Sequence, residues 1–162
     1  MPAPSLMLLT AIAALPAIHS TILPLPIPTP VETAVESSAG VTLEVHVRDL
    51  RNSKGRILAL LWNGSSGFPD EPGRAREQRV IPLRETSVSF NFDGLEPGNY
   101  AVSLVHDEND NGKLDTNILG IPTEGMGTSN NQRIRLGPPR YAQAKFSVGD
   151  ENLSKTIRVK YM

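Results

Sequence analysis

The sequence predicts an all-β fold, a single antiparallel β-sandwich of about seven strands that follows a disordered N-terminal tail. From Val41 onward, apolar and polar side chains alternate in short runs, the period of strands that bury one face. Gly, Pro and Asn punctuate those runs, and no stretch sustains three turns of helical period. A 162-residue chain with 39% hydrophobic residues can build one core of ordinary size.

The tail is set apart by composition. Residues 1–31 hold no Asp, Glu, Lys or Arg, and prolines stand at positions 2, 4, 16, 24, 26, 28 and 30. Residues 5–15 (SLMLLTAIAAL) have the size of a signal-peptide apolar region and fall short of the ~20 residues that cross a bilayer. No Lys or Arg precedes them, which departs from the usual signal pattern, while Ala11, Ala13, Ala14 and Ala17 offer cleavage positions. Residues 22–30 (ILPLPIPTP) lack backbone donors at alternate positions and favour an extended spacer. The expected division is a signal peptide over 1–21, a Pro-rich linker over 22–40 and the sandwich domain over 41–162. Export to the periplasm or the cell exterior follows, with no stable membrane span after cleavage.

The first strand places Val41, Leu43, Val45 and Val47 on one face and Thr42, Glu44, His46 and Arg48 on the other. Turn residues 49–55 (DLRNSKG) lead into residues 56–62 (RILALLW), a nearly continuous apolar run expected near a sheet centre and joined to the first strand as a hairpin. Residues 63–79 read as a long loop with at most a helical turn near 74–78, and a weaker strand follows at 78–83. Residues 86–93 and 99–106 form a second expected hairpin across the turn GLEPG. Tyr100, entering a strand after Pro97-Gly98, is positioned to return its hydroxyl to upstream backbone as a tyrosine corner. Residues 118–131 (ILGIPTEGMGTSNN), with three glycines and a proline, are expected to lack regular structure. The last strands are expected at 142–148 and 155–161.

Composition narrows the chemistry. With 16 Lys plus Arg against 17 Asp plus Glu, there is no bulk drive toward nucleic acid. The absence of Cys excludes disulfides, thiolate metal sites and a cysteine nucleophile. The one constellation with chemistry is 107–117 (DENDNGKLDTN), in which Asp107, Asn109, Asn111 and Asp115 place side-chain oxygens around Gly112. Ca²⁺ takes six to eight oxygens, and alternating Asp or Asn about a sharp glycine turn lets one loop supply several. Aligned on an EF-hand loop, these residues occupy positions 1, 3, 5, 9 and 6, with the Lys113 carbonyl at position 7. Position 12 is Ile118 instead of Glu, and a strand precedes the loop where an EF-hand has a helix, so the motif is not an EF-hand. Glu124 is a further ligand candidate, and residues 85–125 hold eight acids against Lys113 alone. With two charged ligands, affinity would be about 10⁻⁴ to 10⁻³ M. The alternative is that the Asp and Asn residues simply make Asx-turns in a hairpin loop whose Asn111-Gly112 step favours a tight turn.

The run from Gly94 to Asn131, GLEPGNYAVSLVHDENDNGKLDTNILGIPTEGMGTSNN, closely resembles the bacterial domain of unknown function 2141. VTLEVHVRDLRNSKGRILALLW and PPRYAQAKFSVGDENLSKTIRVKYM are similar to that family's ends, so the resemblance covers about Val41 to Met162. Met126 stands where an aromatic residue is expected. The resemblance implies an exported bacterial sandwich, immunoglobulin-like or transthyretin-like, and carries no activity or catalytic residue with it.

Three functional readings arise. The favoured one is a noncatalytic exported module, stabilised by Ca²⁺ at Asp107, Asn109, Asn111 and Asp115, that contacts an envelope component or another protein. Carbohydrate binding would rest on Trp62, the chain's single tryptophan, which sits in a core-like strand. A metal-assisted hydrolase would use His106 beside Asp107, or His46 and His106 meeting across strands. Neither a G-x-S-x-G nor an H-E-x-x-H motif supports hydrolysis. Ser129, Asn130 and Asn131 could take a polar ligand, though loop residues of these types usually satisfy backbone groups.

Overall fold

The computed structural model describes residues 40–133 and 137–162, which lie in one compact unit, Glu36–Met162. The expected signal peptide and nearly all of the linker fall outside the described residues. Eight strands form among those described: β1 (Val41–Arg48), β2 (Arg56–Trp62), β3 (Glu77–Pro82), β4 (Val88–Leu95), β5 (Gly98–Asp107), β6 (Gly125–Thr128), β7 (Phe146–Val148) and β8 (Leu153–Arg158). They make two sheets, a three-stranded one ordered β4-β1-β8 and a five-stranded one ordered β3-β2-β5-β6, with β7 pairing β5. Inward-facing Leu43, Val45, Val47, Phe92 and Ile157 of the first pack with Ile57, Ala59, Leu61, Val102 and Leu104 of the second. That is the sandwich the alternation predicts.

Several expectations change in detail. β1 and β2 lie in different sheets, as do β4 and β5, so neither pair is a hairpin. Leu50 and Leu95 supply the reason: each is buried in the central core, so its connection crosses the end of the sandwich instead of turning back beside its own strand. β1 also pairs β8 in parallel, with Val45 opposite Lys155, so the small sheet is mixed. The expected strand over 142–148 is instead a single helical turn, α1 (Tyr141–Ala144), followed by β7. Two alanines and a glutamine make that stretch a better helix former than its alternation suggests. The expected helical turn near 74–78 is a 3₁₀ turn at Pro72–Arg74, and β3 already begins at Glu77.

Regular structure also appears within 118–131. β6 pairs β5 with Met126 opposite Val105 and Gly127 opposite Leu104. Its glycines are what permit this: a Cβ on Gly125 would lie 2.4 Å from Val159 Cγ1, and one on Gly127 2.7 Å from Ile157 Cγ2. The C-terminal segment closes over them through reciprocal backbone bonds between Met126 and Lys160 (2.9 and 2.8 Å).

Candidate functional site

β5 ends at Asp107, and the chain then forms the loop at one end of the sandwich. Asp107 is fully buried there. Its Oδ1 accepts the Asn111 N–H (3.0 Å), and its Oδ2 accepts the Gly112 N–H (2.9 Å) and Arg56 Nε (2.9 Å). Burial opposes ionisation, but the Gly112 N–H, Arg56 and the Asn111 N–H outweigh it and hold this carboxyl below its usual range. Gly112 takes a left-handed φ of 84°, as the turn requires.

Beyond Asp107 the loop is a chain of Asx-turns. Asn109 Oδ1 accepts the Asn111 N–H (3.1 Å) and Asn111 Oδ1 accepts the Lys113 N–H (3.0 Å). The side-chain amides of Asn109 and Asn111 then donate to the Asp115 carboxylate at 2.6 and 2.9 Å. Asn109, Asn111 and Asp115 are thus brought together, while Asp107 lies behind them and faces Arg56. Glu124 does fold back onto the loop, accepting the backbone N–H groups of Glu108 (2.9 Å) and Asp115 (3.0 Å). Among the described residues, no three His, Asp or Glu side chains converge as a metal-holding group.

His106 is equally occupied. It is fully buried on β5, with Nε2 2.9 Å from the Lys54 carbonyl and Nδ1 2.6 Å from the Tyr161 hydroxyl. A carbonyl only accepts, so Nε2 carries a proton; in the neutral ring Tyr161 donates to Nδ1 while its oxygen accepts the Arg51 N–H (3.1 Å). Arg51 stacks on the Tyr161 ring at 4.5 Å and pairs with Glu108, which also accepts from Asn52 (2.9 Å). The Arg51 bond is the main cause that lowers the Glu108 carboxyl, against the opposing effect of burial. His46 lies in the other sheet, opposite Ser89 and Thr156, so the two histidines do not meet across strands.

Ser129, Asn130 and Asn131 also serve backbone. Ser129 Oγ accepts the Val102 N–H (2.9 Å) and donates to the Ala144 carbonyl (2.7 Å). Asn131 holds β8 by donating to the Thr156 carbonyl (2.8 Å) and accepting the Arg158 N–H (2.7 Å). Tyr100 makes the expected corner, its hydroxyl donating to the Glu96 carbonyl (3.0 Å).

Two features were not foreseen. The outer face of the five-stranded sheet carries its own apolar cluster, in which Leu60, Trp62 and Ala101 of the sheet pack with Ala144 of α1 under Phe68, Ala75 and Tyr141. Trp62 is 1% exposed and its indole donates to Ser103 Oγ (2.9 Å), so no ring face is open to a sugar. Beside this cluster a groove of about 240 Å³ remains open, with Leu58, Val105 and Met126 on the sheet side and Pro69, Pro72 and Leu114 around it. The signal was the continuity of RILALLW: a strand apolar on both sides needs cover on both. The second feature is the turn at 117–121. There Asn117 Oδ1 accepts the Leu119 and Ile121 N–H groups (2.9 and 3.0 Å), and the Gly120 N–H bonds the Asn117 carbonyl (2.9 Å). Ile118, Leu119 and Ile121 project from it into solvent.

The model of a family described as "Uncharacterized protein conserved in bacteria (DUF2141)" matches residues 45–156. Neither a curated protein nor a solved structure matches the chain.

Proposed function

This chain belongs to the DUF2141 family of uncharacterised bacterial proteins, and from that premise we propose that it is an exported, noncatalytic β-sandwich module that contacts an envelope component or another protein. One observation supports the noncatalytic reading above others: the side chains able to do acid–base chemistry at the loop end are spent on structure. Both nitrogens of His106 are bonded, and the carboxylates of Asp107, Glu108 and Glu124 accept from Arg56, Arg51 or backbone N–H groups. A general base must reach a substrate proton, and His106, Asp107 and Glu124 are buried as well as bonded. Export is supported by the uncharged apolar run at 5–15.

Ca²⁺ is the cation proposed for the loop. Asp115 and the carbonyl oxygens of Asn109 and Asn111 gather there; Asp115 Oδ1 and the two amide oxygens each accept one bond and retain a lone pair, while Asp115 Oδ2 accepts from both amides. The ion would displace the two amide donors from Asp115, an exchange consistent with affinity no better than about 10⁻⁴ M. Thermal melting in EDTA and in graded millimolar Ca²⁺ tests it. Free ligand at 100 times Kd adds about 2.7 kcal/mol, so the midpoint should rise, and Asp115→Asn should abolish the rise. A midpoint that ignores Ca²⁺ removes the ion from the proposal. Turnover of ester, phosphate or glycoside substrates by the intact chain, lost in His106→Gln, would overturn the noncatalytic reading.

A further inference from the structure

The turn at 117–121 is physically unusual. Ile118 is 102% exposed, Leu119 76% and Ile121 42%, so Ile118 touches nothing beyond its own turn. Exposed aliphatic residues occur singly on most surfaces, but three on one turn form a knob. The knob is also built rigidly. Asn117 accepts two backbone N–H groups through its side chain, its own N–H bonds the Ile121 carbonyl (2.9 Å), and Thr116 bridges Pro122. With the N–H groups of Asn117, Leu119, Gly120 and Ile121 satisfied from within, the tip brings few free donors into a dry pocket, and its fixed shape spares the ordering cost of binding.

The same chain carries an apolar groove of about 240 Å³ over Leu58, Val105 and Met126. An apolar cavity of ~150 Å³ holds a benzene ring, so this space has room for one or two branched aliphatic side chains. The exposure of Ile118 shows that a chain's own knob does not fill its own groove. Charge points the same way. The knob grows out of the acid-rich stretch 85–125, with Asp110 and Asp115 just before it. The groove has Lys113 and Asp70 at its margin and continues past Met126, Thr128 and Pro139 to Arg158 and Lys160. Among the described residues, Lys160 Nζ bonds the carbonyls of Asn131 and Gln132 and no carboxylate. Asp110 already pairs with Arg56 and Arg158 with Asp49, so the match in sign rests on Asp115 against Lys160, beside the match of an apolar knob to an apolar groove. The same acids disfavour an anionic lipid surface.

We infer that the occupant of this groove is a second copy of the chain, with Ile118 and Leu119 of one copy seated against Leu58, Val105 and Met126 of the other. The knob and the groove are different surfaces, so the contact is either reciprocal about a two-fold axis or head-to-tail. It is small beside standard interfaces, so association is weak and depends on concentration. The inference stands independently of any bound cation.

The chain has no cysteine, which makes directed cross-linking clean. Full-length chains carrying Leu119→Cys on the knob and Gln78→Cys beside the groove are mixed and oxidised, with Ser154→Cys on the exposed face of β8 as the control partner. The expected result is a disulfide-linked L119C–Q78C heterodimer and little or none with S154C. Sedimentation equilibrium of the unmodified chain should show reversible self-association that Leu119→Asp weakens by about 10- to 100-fold, the loss of one buried leucine. Because Leu119 is exposed, that variant folds as the parent does. Cross-linking to S154C as readily as to Q78C, a chain that stays monomeric up to about 1 mM, or self-association indifferent to Leu119→Asp would each overturn the inference. So would a monomer that cosediments with phosphatidylcholine vesicles through Leu119, which would assign the knob to lipid.

Discussion

On the three-stranded sheet β1 alternates strictly between buried and open positions, and its outer face carries Thr42, Glu44, His46 and Arg48. Those side chains make exposed bonds, His46 to Ser89 (2.7 Å) and Thr42 to Asp93 (2.9 Å), of the kind that contribute little to stability. On the five-stranded sheet, β2 and β5 bury side chains on both faces, and the outer one is roofed by Phe68, whose ring meets Trp62 edge to face at 5.6 Å, and by Tyr141, which meets Phe68 edge to face at 5.8 Å. The difference teaches where the chain places its long connections. A sheet wetted on one side needs only short turns, whereas a doubly apolar sheet must recruit loops as cover. Here that cover comes from the connection between β2 and β3 and from α1, and it stops short of Leu58, Val105 and Met126.

The contrast is sharpest at the two outer faces. Trp62→Ala should cost about 3 to 5 kcal/mol by urea unfolding, while His46→Ala on the other sheet should stay within about 0.5 kcal/mol. Similar losses at the two sites would mean that the outer cluster is not a second core.

Next in size is the loop end. Asp107→Ala removes the acceptor for Arg56 and two backbone N–H groups, and about 3 kcal/mol of stability should go with it. Asp107 and Glu108 are both depressed in the folded state. Their contribution is therefore fully present above the unfolded carboxylate pKa values of about 4 and is lost as pH falls through the lower folded values. Unfolding at pH 7 and pH 3 should show a smaller pH-dependent loss in the Asp107→Ala chain than in its parent. An equal loss would place the acid sensitivity elsewhere.

Smallest is the tyrosine corner. Tyr100→Phe keeps the ring in the core but deletes the bond to the Glu96 carbonyl, and should cost about 0.5 to 1.5 kcal/mol by the same measurement. A neutral result would show that Arg76, also bonded to that hydroxyl (3.0 Å), and solvent replace it fully.

Much of the candidate site was legible because its bonds are local. Asx-turns link residues two apart, so DENDNGKLD announces its own loop, and Tyr100 reaches only four residues back. The sharing of Asp107 with Arg56 was not legible, since the two are 51 positions apart and meet only because β2 pairs β5. Nor was the role of Glu124 as an acceptor for two backbone N–H groups. The strand β6 was hidden for a related reason: glycine carries no apolar signal, and its missing Cβ acquires value only once Val159 and Ile157 are packed against it.

The sequence by itself determined most of the strands and which of their faces are apolar, β6 and the helical turn at Tyr141–Ala144 excepted, because the two-residue period is a property of the backbone that neighbouring residues express without help. Tertiary structure alone decided which strands share a sheet, that β1 and β8 run parallel, and that one outer face is roofed and the other is wet. Those outcomes depend on contacts between residues far apart in the chain, where burying Leu50 and Leu95 in a common core outweighs the local preference of a turn to fold back on itself.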